Sequence, residues 1–463
     1  SRDALDMLNA RQQELVRDAA REAAWWGRDE VRRREGEILD GLRAAGVTVH
    51  EFSAEARERF RSALAHIPRK FEERIGPDVM AKLSEWLDLR GRDQSDRQEI
   101  LIGLDAQWSG ESALVGLELK RGVTLAIEGI NAQGGVLGRK LRLVARDNHG
   151  LATRGVDNLK FFAGLDDLVA VIGGQKSSVM AAEVEAVHDL ALPFLLPWSA
   201  AWHLTENGYA PNQVFRLSLN DRWTAPFLAE AALTRGARIA LVLENSRWGH
   251  EFERIILRHL NGRDVRPVAV LWVDNGSRGS SALLSARLAE VGVDVVILVD
   301  TPDESIPLLL ELSRSLPTVG VVSHWGLLGA RLTPAQLLAL STMDLVFPQT
   351  FFPAVDKRSG ESLRQRMQQL LSLEEGETPV SMGSGFVQAY DLVRMLAGAI
   401  TLAGSLERGA IRDALERLPR HDGVIKHHRP PFDAQRHDAL GIEDYRLGRL
   451  AADGQIVPVE PVR

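Results

Sequence analysis

Cysteine is absent from this chain of 463 residues. Its absence excludes disulfides, thiolate metal sites and cysteine nucleophiles, and it is compatible with an oxidising compartment. Long apolar runs are also lacking, because no stretch reaches membrane-spanning length without a charged or turn residue. The chain opens with Ser1, Arg2 and Asp3 and not with an apolar signal region. A signal peptide removed before this numbering begins leaves export open.

The chain has no excess of positive charge. It carries 56 basic and 63 acidic residues, for a formal net charge of −7, whereas binding to nucleic acid needs a concentrated basic face. The motifs H-E-x-x-H and G-x-S-x-G do not occur. The histidines at 427, 428 and 437 lie in a Pro-containing loop without fixed geometry. We therefore predict no nucleic-acid partner, no metal, no cofactor and no enzymatic activity.

Two regions of the chain differ in pattern. Residues 1–97 show helical periodicity with interleaved charges and almost no strand pattern, and they end in a polar linker at 91–96. From Glu99 onward, apolar runs such as 168–173, 238–243 and 295–299 alternate with helical stretches. Repeated βα units in two sets predict an α/β fold with two doubly wound parallel-sheet lobes. A ligand then binds at the carboxyl ends of the strands, in the cleft between the lobes.

Residues 122–138, GVTLAIEGINAQGGVLG, carry the most specific motif. With Asp147 and the region 432–440, this motif resembles the leucine/isoleucine/valine-binding protein family, the type I periplasmic receptors of ABC importers, over residues 99–463. The resemblance implies the type I periplasmic-binding-protein fold. One lobe is expected from 98–221 and 347–427, and the other from 222–346 and 428–463. Hinge crossings are expected near Asp221, Phe347 and His427.

The first region resembles a different receptor class. Residues 12–15, 19–23, 42–49 and 71–79 are similar to the C-terminal part of the extracytoplasmic receptors of TRAP-type transporters. The ligand-binding lobes of such a receptor have no counterpart in this region. We therefore interpret residues 1–97 as a helical structural appendage, with dimerisation through these helices, or docking, as the alternative.

Candidate binding residues in the first lobe follow two predicted strands. Ser177 and Ser178 open a helix, where backbone N–H groups and hydroxyls favour an anion, and the resemblance places the ligand carboxylate at Ser177. The alternative is an ordinary serine N-cap. By the same resemblance Trp198, Ser199 and Ala200 contact ligand, although Ala200 replaces a threonine of the family. For Trp198, packing between the lobes is an equal alternative.

Further candidates are Asp221, at the first crossing between the lobes, and Trp248, Thr301 and Trp325 in the second lobe. The resemblance gives Asp221 a contact with a ligand ammonium or hydroxyl, with a helix N-cap as the alternative. Trp248 is expected to form a stacking wall, and Thr301 approximates a cleft position. Trp325 stands where amino-acid receptors often carry a glutamate, which weakens the case for an α-amino acid. The neighbouring His324 offers a hydrogen-bond donor, but a satisfied structural histidine is the stronger interpretation.

Four tryptophans are expected at strand ends that face the cleft: Trp108, Trp198, Trp248 and Trp325. Aromatic walls provide apolar contact and stack on flat ligands. The hypothesis is a periplasmic solute-binding protein that captures a small carboxylate with an aromatic or bulky apolar body, or an amino acid, and delivers it to the membrane permease of an ABC importer. The alternatives are a ligand-sensing module for a signalling partner and, less favoured, an α/β enzyme.

Overall fold

A computed structural model describes residues 99–109, 113–274, 280–329, 332–353, 355–356 and 385–459, together with the single positions 43, 45 and 59. The chain divides into two compact units, Ser1–Asp93 and Gln94–Arg463. Apart from those single positions, the predicted helical segment 1–97 lies outside the described residues, so its helices stay a prediction.

The first sheet of the larger unit has five parallel strands in the order β2-β1-β3-β4-β5. Its middle strands are buried along nearly their whole length, which explains their unbroken apolar sequences. The strands are β1 Glu99–Ala106, β2 Lys140–Asp147, β3 Leu168–Ile172, β4 Phe194–Leu196 and β5 Val214–Arg216.

The second sheet has seven strands in the order β14-β13-β10-β9-β8-β6-β7. The strands from β10 to β7 run parallel, whereas β13 and β14 add an antiparallel edge. The strands are β6 Ile239–Glu244, β7 Ala269–Val273, β8 Val295–Val299, β9 Gly320–Ser323, β10 Leu345–Gln349, β13 Arg446–Leu450 and β14 Ile456–Pro458, and a separate hairpin is formed by β11 His421–Asp422 and β12 His427–His428.

Helices connect the strands and cover the sheets. Along β6, Ile239, Leu241 and Leu243 belong to one apolar cluster, while Ala240 and Val242 belong to the other. Both faces of this sheet are therefore buried, and the predicted doubly wound α/β fold is confirmed. The helices are α1 Ala113–Ala132, α2 Ala152–Ala163, α3 Ser177–Asp189, α4 Asp221–Leu233, α5 Arg247–Asn261, α6 Ser281–Glu290, α7 Pro302–Ser315, α8 Pro334–Ser341, α9 Phe386–Ala403 and α10 Arg408–Glu416.

Helix α9 is the one helix among the described residues that is long and apolar enough to span a membrane by composition. It packs along α1 and against α10, and 61% of the tested stretch is buried inside the fold. This is the burial expected of a core helix that is apolar on most sides.

A buried ion pair supports the first crossing between the sheets, which runs from β5 to α4. The fully buried guanidinium of Arg216 donates to Asp438 Oδ1 at 2.5 Å, to the carbonyl of Ala201 at 2.8 Å and to Thr205 Oγ1 at 2.9 Å. Asn220 Nδ2 also donates to Asp438, at 3.2 Å. A buried charge is tolerated when it is paired and fully hydrogen bonded, as it is here.

The residues around Asp438 run beside β5, because the amide of Arg216 donates to the carbonyl of His437 and that of Ala439 donates to the carbonyl of Arg216. The chain enters the second sheet only at β13. The predicted lobe boundaries at 221, 346 and 427 stay a prediction. The pairing of Asp438 with β5 suggests that the third crossing lies later in the chain than 427, between Asp438 and Arg446.

Candidate functional site

Four of the candidate residues follow strands at the point where each sheet changes its winding direction. In the first sheet β2 and β3 lie on opposite sides of β1, and in the second sheet β7 and β8 lie on opposite sides of β6. Loops at the carboxyl ends of such strands diverge and leave a crevice. Trp108 follows β1, Ser177 follows β3, Trp248 follows β6 and Thr301 follows β8.

Helix α3 begins directly at Ser177. Lys176 occupies the N-cap position without a side-chain capping bond, so neither serine caps the helix. Ser177 is half-buried, and its Oγ lies 3.5 Å from the amide nitrogen of Ala201, which donates to it. Ser178 is exposed. The start of α3 therefore has no side-chain cap that competes with an anion for its N–H groups.

The loop after β4 is fixed by side-chain hydrogen bonds. Ser199 is buried and donates from Oγ to the carbonyl of Gly174 at 2.8 Å. Ser218 Oγ donates to the carbonyl of Trp198 at 2.6 Å. The amide of Asp221 donates to the carbonyl of Ala200 at 2.9 Å. These contacts hold Trp198 in place and join its loop to the first turn of α4.

Asp221 is a buried carboxylate with a donor on each oxygen. Trp248 Nε1 donates to its Oδ2 at 2.8 Å, and His324 Nε2 lies 3.2 Å from its Oδ1. His324 Nδ1 accepts from the amide of Gly326 at 3.1 Å, so in the neutral ring the proton is on Nε2, which donates to Asp221. Asn220, and not Asp221, caps α4 by accepting from the amide of Arg222.

Two indole rings join the loops of the two sheets. Trp198, which follows β4, stacks on Trp325, which follows β9, with ring centroids 4.7 Å apart and planes 11° apart. Trp325 is fully buried, and its Nε1 has no hydrogen-bond acceptor among the described residues. An unpaired buried N–H group costs about 1–3 kcal/mol, so this donor is available to an acceptor that reaches the edge of the Trp325 ring.

A second acid lies beside Thr301. Asp300 is buried and accepts from the amide of Thr301 at 2.7 Å. Burial, together with the nearby carboxylates of Glu244, Glu304 and Asp303, raises the pKa of Asp300 to about 7, although the hydrogen bond from the Thr301 amide lowers it. Thr301 itself is the N-cap residue of α7 and makes no side-chain capping bond. Sequence analysis missed Asp300 because a single aspartate after an apolar strand is common.

The model for the family described as periplasmic binding protein matches residues 99–455. The chain therefore belongs to the periplasmic binding protein family. Membership in a family of binding proteins confirms the prediction of a binding protein rather than an enzyme. A second model, bacterial extracellular solute-binding protein, family 7, matches residues 1–74 and confirms the predicted TRAP-receptor-like segment.

Curated relatives of this periplasmic binding protein include the Leu/Ile/Val-binding protein BraC3 of Rhizobium johnstonii, 28% identical over 200 residues, which are 43% of this chain and 53% of that protein. An amino acid binding protein of Pseudomonas aeruginosa is 23% identical over 230 residues, which are 49% of this chain and 61% of that protein. The chain thus spans only part of the length of the curated relatives that it matches.

Solved structures share the fold. An ABC transporter substrate-binding protein of Desulfitobacterium hafniense in complex with Leu has a TM-score of 0.63 and 22% identity, and the match covers 78% of this chain and 100% of that chain. A solute binding protein of R. palustris in complex with benzoate has a TM-score of 0.64 and 16% identity, and the match covers 78% of this chain and 95% of that chain.

The fold of this periplasmic binding protein brings several predicted residues into one connected group. Trp198, Trp325, Asp221 and Trp248 are linked by ring stacking, hydrogen bonds and the intervening His324. Ser177, Ser199 and Ala200 border this group through the loop after β4. His324, for which the sequence favoured a satisfied histidine, has both ring nitrogens hydrogen bonded, one of them to the candidate acid Asp221.

Three predicted residues are not joined to that group by a hydrogen bond or ring contact within the described part of the chain. Trp108 is half-buried, with the Lys120 ammonium 5.2 Å from its ring centroid. Ser178 and Thr301 are the other two. In the same part of the chain, no group of three His, Asp or Glu side chains is arranged to hold a metal ion.

Proposed function

We propose that this periplasmic binding protein captures a small carboxylate with an aromatic or bulky apolar body between its two sheets. The observation that carries the proposal is the Trp198–Trp325 stack, because one indole comes from each sheet. A hinge rotation that separates the sheets separates the two ring faces as well. A flat ring then fits between them at a spacing of about 7 Å, twice the contact distance of stacked carbon atoms.

The polar groups at this position suit an acid. The start of α3 offers uncapped N–H groups beside Ser177, and a helix N-terminus favours negative charge. Trp325 Nε1 adds an unpaired donor. The carboxylate of Asp221 already accepts from Trp248 and His324, so it gains less from a ligand ammonium than an unpaired carboxylate does. We therefore favour an acid without an amino group over an α-amino acid.

Delivery to an ABC importer in the periplasm is the second part of the proposal. Similar structures are named as ABC transporter proteins, among them complexes with benzoate and with 4-hydroxybenzoate, and the matched family model is described as periplasmic. Closure on the ligand changes the relative position of the two sheets, so a permease that recognises the closed form couples docking to ligand binding.

A thermal-shift screen tests the ligand class. Benzoate and 4-hydroxybenzoate are compared with leucine and valine at equal concentration. Ligand at 100 times its Kd stabilises by about 2.7 kcal/mol, so an aromatic acid is expected to raise Tm by several degrees and leucine to leave it unchanged.

The Trp325→Leu variant is expected to lose this response, because it removes one wall of the stack. The matched control is Trp272→Leu, which alters a half-buried indole on the edge strand β7. Stabilisation by leucine or valine alone would exclude the aromatic acid, and equal responses of the two variants would exclude the Trp198–Trp325 seat.

A further inference from the structure

The turn that carries Trp325 is closed by the side chain that precedes it. His324 Nδ1 accepts from the amide of Gly326 at 3.1 Å, so the imidazole closes a turn around the backbone of Trp325. The amide of His324 donates to the carbonyl of Leu298 in β8 at 3.0 Å, which fixes the start of the turn to the sheet. The position of the Trp325 ring therefore depends on the orientation of the His324 ring.

The orientation of that ring is set by its surroundings. Trp248 and Phe252 both meet it edge to face, with centroids 5.2 Å and 5.6 Å from the His324 ring and interplanar angles of 81° in each case. Its Nε2–H donates to Asp221 Oδ1 at 3.2 Å. The ring is 4% exposed, so water does not compete effectively for either nitrogen.

The same contacts lead back to the other indole. Asp221 donates from its amide to the carbonyl of Ala200 at 2.9 Å, and Ala200 is two residues after Trp198. A continuous series of hydrogen bonds thus joins the loop that carries Trp198 to the turn that carries Trp325, through Asp221 and His324. Asp221 is also the first residue of α4, directly after the crossing between the sheets.

We propose that His324 is a positioning residue for the aromatic seat. Its Nδ1 fixes the turn that holds Trp325 against Trp198, and its Nε2–H ties that turn to Asp221 at the crossing. Part of this inference rests on the proposed function, because the stack is the proposed ligand seat. The placement of Trp325 itself needs no ligand, so it is tested separately from binding.

Substitutions with amides separate the two nitrogens of the ring. The Oδ1 of an asparagine lies near the position of a histidine Nδ1, so His324→Asn keeps an acceptor for the Gly326 amide and loses the donor to Asp221. His324→Gln reaches towards Asp221 and loses the acceptor that closes the turn. His324→Ala loses both contacts. The matched control is His259→Ala, which removes an imidazole that hydrogen bonds to Glu230 near the end of α5.

Circular dichroism of the full chain without ligand reports on the stack, because two stacked indoles give an exciton couplet. Trp198→Phe and Trp325→Phe are expected to remove the contribution of this pair to the couplet. His324→Ala and His324→Gln are expected to lower its amplitude by about twofold or more, because the hydrogen bond to the Gly326 amide no longer holds the turn. His324→Asn and His259→Ala are expected to retain it.

Three outcomes would overturn the inference. One is a full couplet in His324→Ala, and another is equal loss in His324→Asn and His324→Ala, because either result shows that the acceptor at Nδ1 does not position the ring. The third is a couplet that Trp325→Phe leaves unchanged, which shows that the Trp198–Trp325 pair does not produce it.

Binding of benzoate, measured by titration calorimetry, gives the second readout. His324→Ala is expected to bind about tenfold more weakly than wild type, and His259→Ala is expected to bind equally well. If wild type binds no aromatic acid while the couplet follows the expected order, the proposed function fails and the positioning role stands. If wild type binds benzoate and His324→Ala binds it equally well, the link between His324 and the seat is rejected.

Discussion

At the scale of single residues, two carboxyl groups meet beside the first sheet. The sequence analysis did not predict this contact. Asp105 in β1 and Glu183 in α3 are both fully buried. Asp105 accepts from Asn148 at 2.6 Å and from Asn158 at 2.5 Å. The oxygens of Glu183 have no donor among the described residues, so a protonated Glu183 that donates to Asp105 accounts for the contact.

Burial raises the pKa of both acids, and the neighbouring carboxylate raises that of Glu183 further. The charged groups that face the pair are Asp147 and Arg146 from β2. Folding thus favours the protonated form of Glu183. Its contribution to stability is complete below the ordinary pKa of a glutamic acid, 4.5, and is lost as the pH rises through the raised value.

The variant Glu183→Gln tests this assignment. Its amide stays neutral and still donates to Asp105, so the free energy of unfolding is expected to fall less steeply than in wild type between pH 4.5 and neutral pH. The difference at neutral pH should exceed about 1 kcal/mol. Urea unfolding across this pH range gives the measurement. Glu185→Gln, exposed on the same helix, should behave like wild type, and parallel pH profiles for Glu183→Gln and wild type would contradict a raised pKa.

At the scale of secondary-structure elements, the α1–α9 crossing depends on a glycine. A Cβ placed on Gly122 would lie 2.2 Å from the carbonyl oxygen of Phe386, at the start of α9. No side chain fits at that distance, so the close approach of the two helices requires glycine. Gly129 lies two turns later on α1 and is exposed, and a Cβ there would meet no atom within 4 Å.

These two glycines provide a matched pair of substitutions. Gly122→Ala is expected to destabilise by about 1–3 kcal/mol, because backbone must move to admit the methyl group. Gly129→Ala is expected to stabilise by about 0.5–1 kcal/mol through helix propensity alone. Denaturant midpoints measured at constant m-value give both numbers. Equal effects at the two positions would show that α1 and α9 do not meet at Gly122 in solution.

At the scale of the whole molecule, residues 94–463 form a compact unit with its own apolar core. A chain that begins at Gln94 is therefore expected to unfold in a cooperative transition and to keep its affinity for benzoate within about twofold of the full chain, because the candidate seat lies wholly in this unit. Scanning calorimetry measures the unfolding transition, and titration with benzoate measures the affinity.

The mass in solution separates the two interpretations of residues 1–97. A full chain that is dimeric while the shorter chain is monomeric would support dimerisation through the N-terminal segment. The same oligomeric state for both chains would leave the appendage interpretation. Loss of the cooperative transition in the shorter chain would contradict an independent unit.

The sequence predicted the central strands closely. The run at 295–299 coincides with β8, and the run at 238–243 differs from β6 by one residue at each end. Strands buried on both faces give unbroken apolar runs, which is a local pattern. The antiparallel strands β13 and β14 were missed. Arg446 and Arg449 interrupt the apolar pattern of β13, and the pairing of an edge strand depends on residues far away in the sequence.

Within the site, the sequence named Trp198, Asp221, Trp248 and Trp325, but it did not pair them. It left packing and ligand contact as equal alternatives for Trp198, and the structure supplies the packing partner, Trp325. It also favoured a satisfied histidine at 324 without identifying its partners, Asp221 and Gly326. The contacts of His324 with Asp221 and of Trp198 with Trp325 each join residues more than 100 positions apart, for which a single sequence contains no pairing information.

The sequence by itself determined the alternation of apolar strands and helices, the motif at 122–138 and the absence of cysteine chemistry, because each is a property of neighbouring residues. Only the tertiary structure decided which indole faces which, which acid shares its proton and which nitrogen of His324 donates. These depend on the distances between side chains from different elements, and those distances exist only once the sheets have packed.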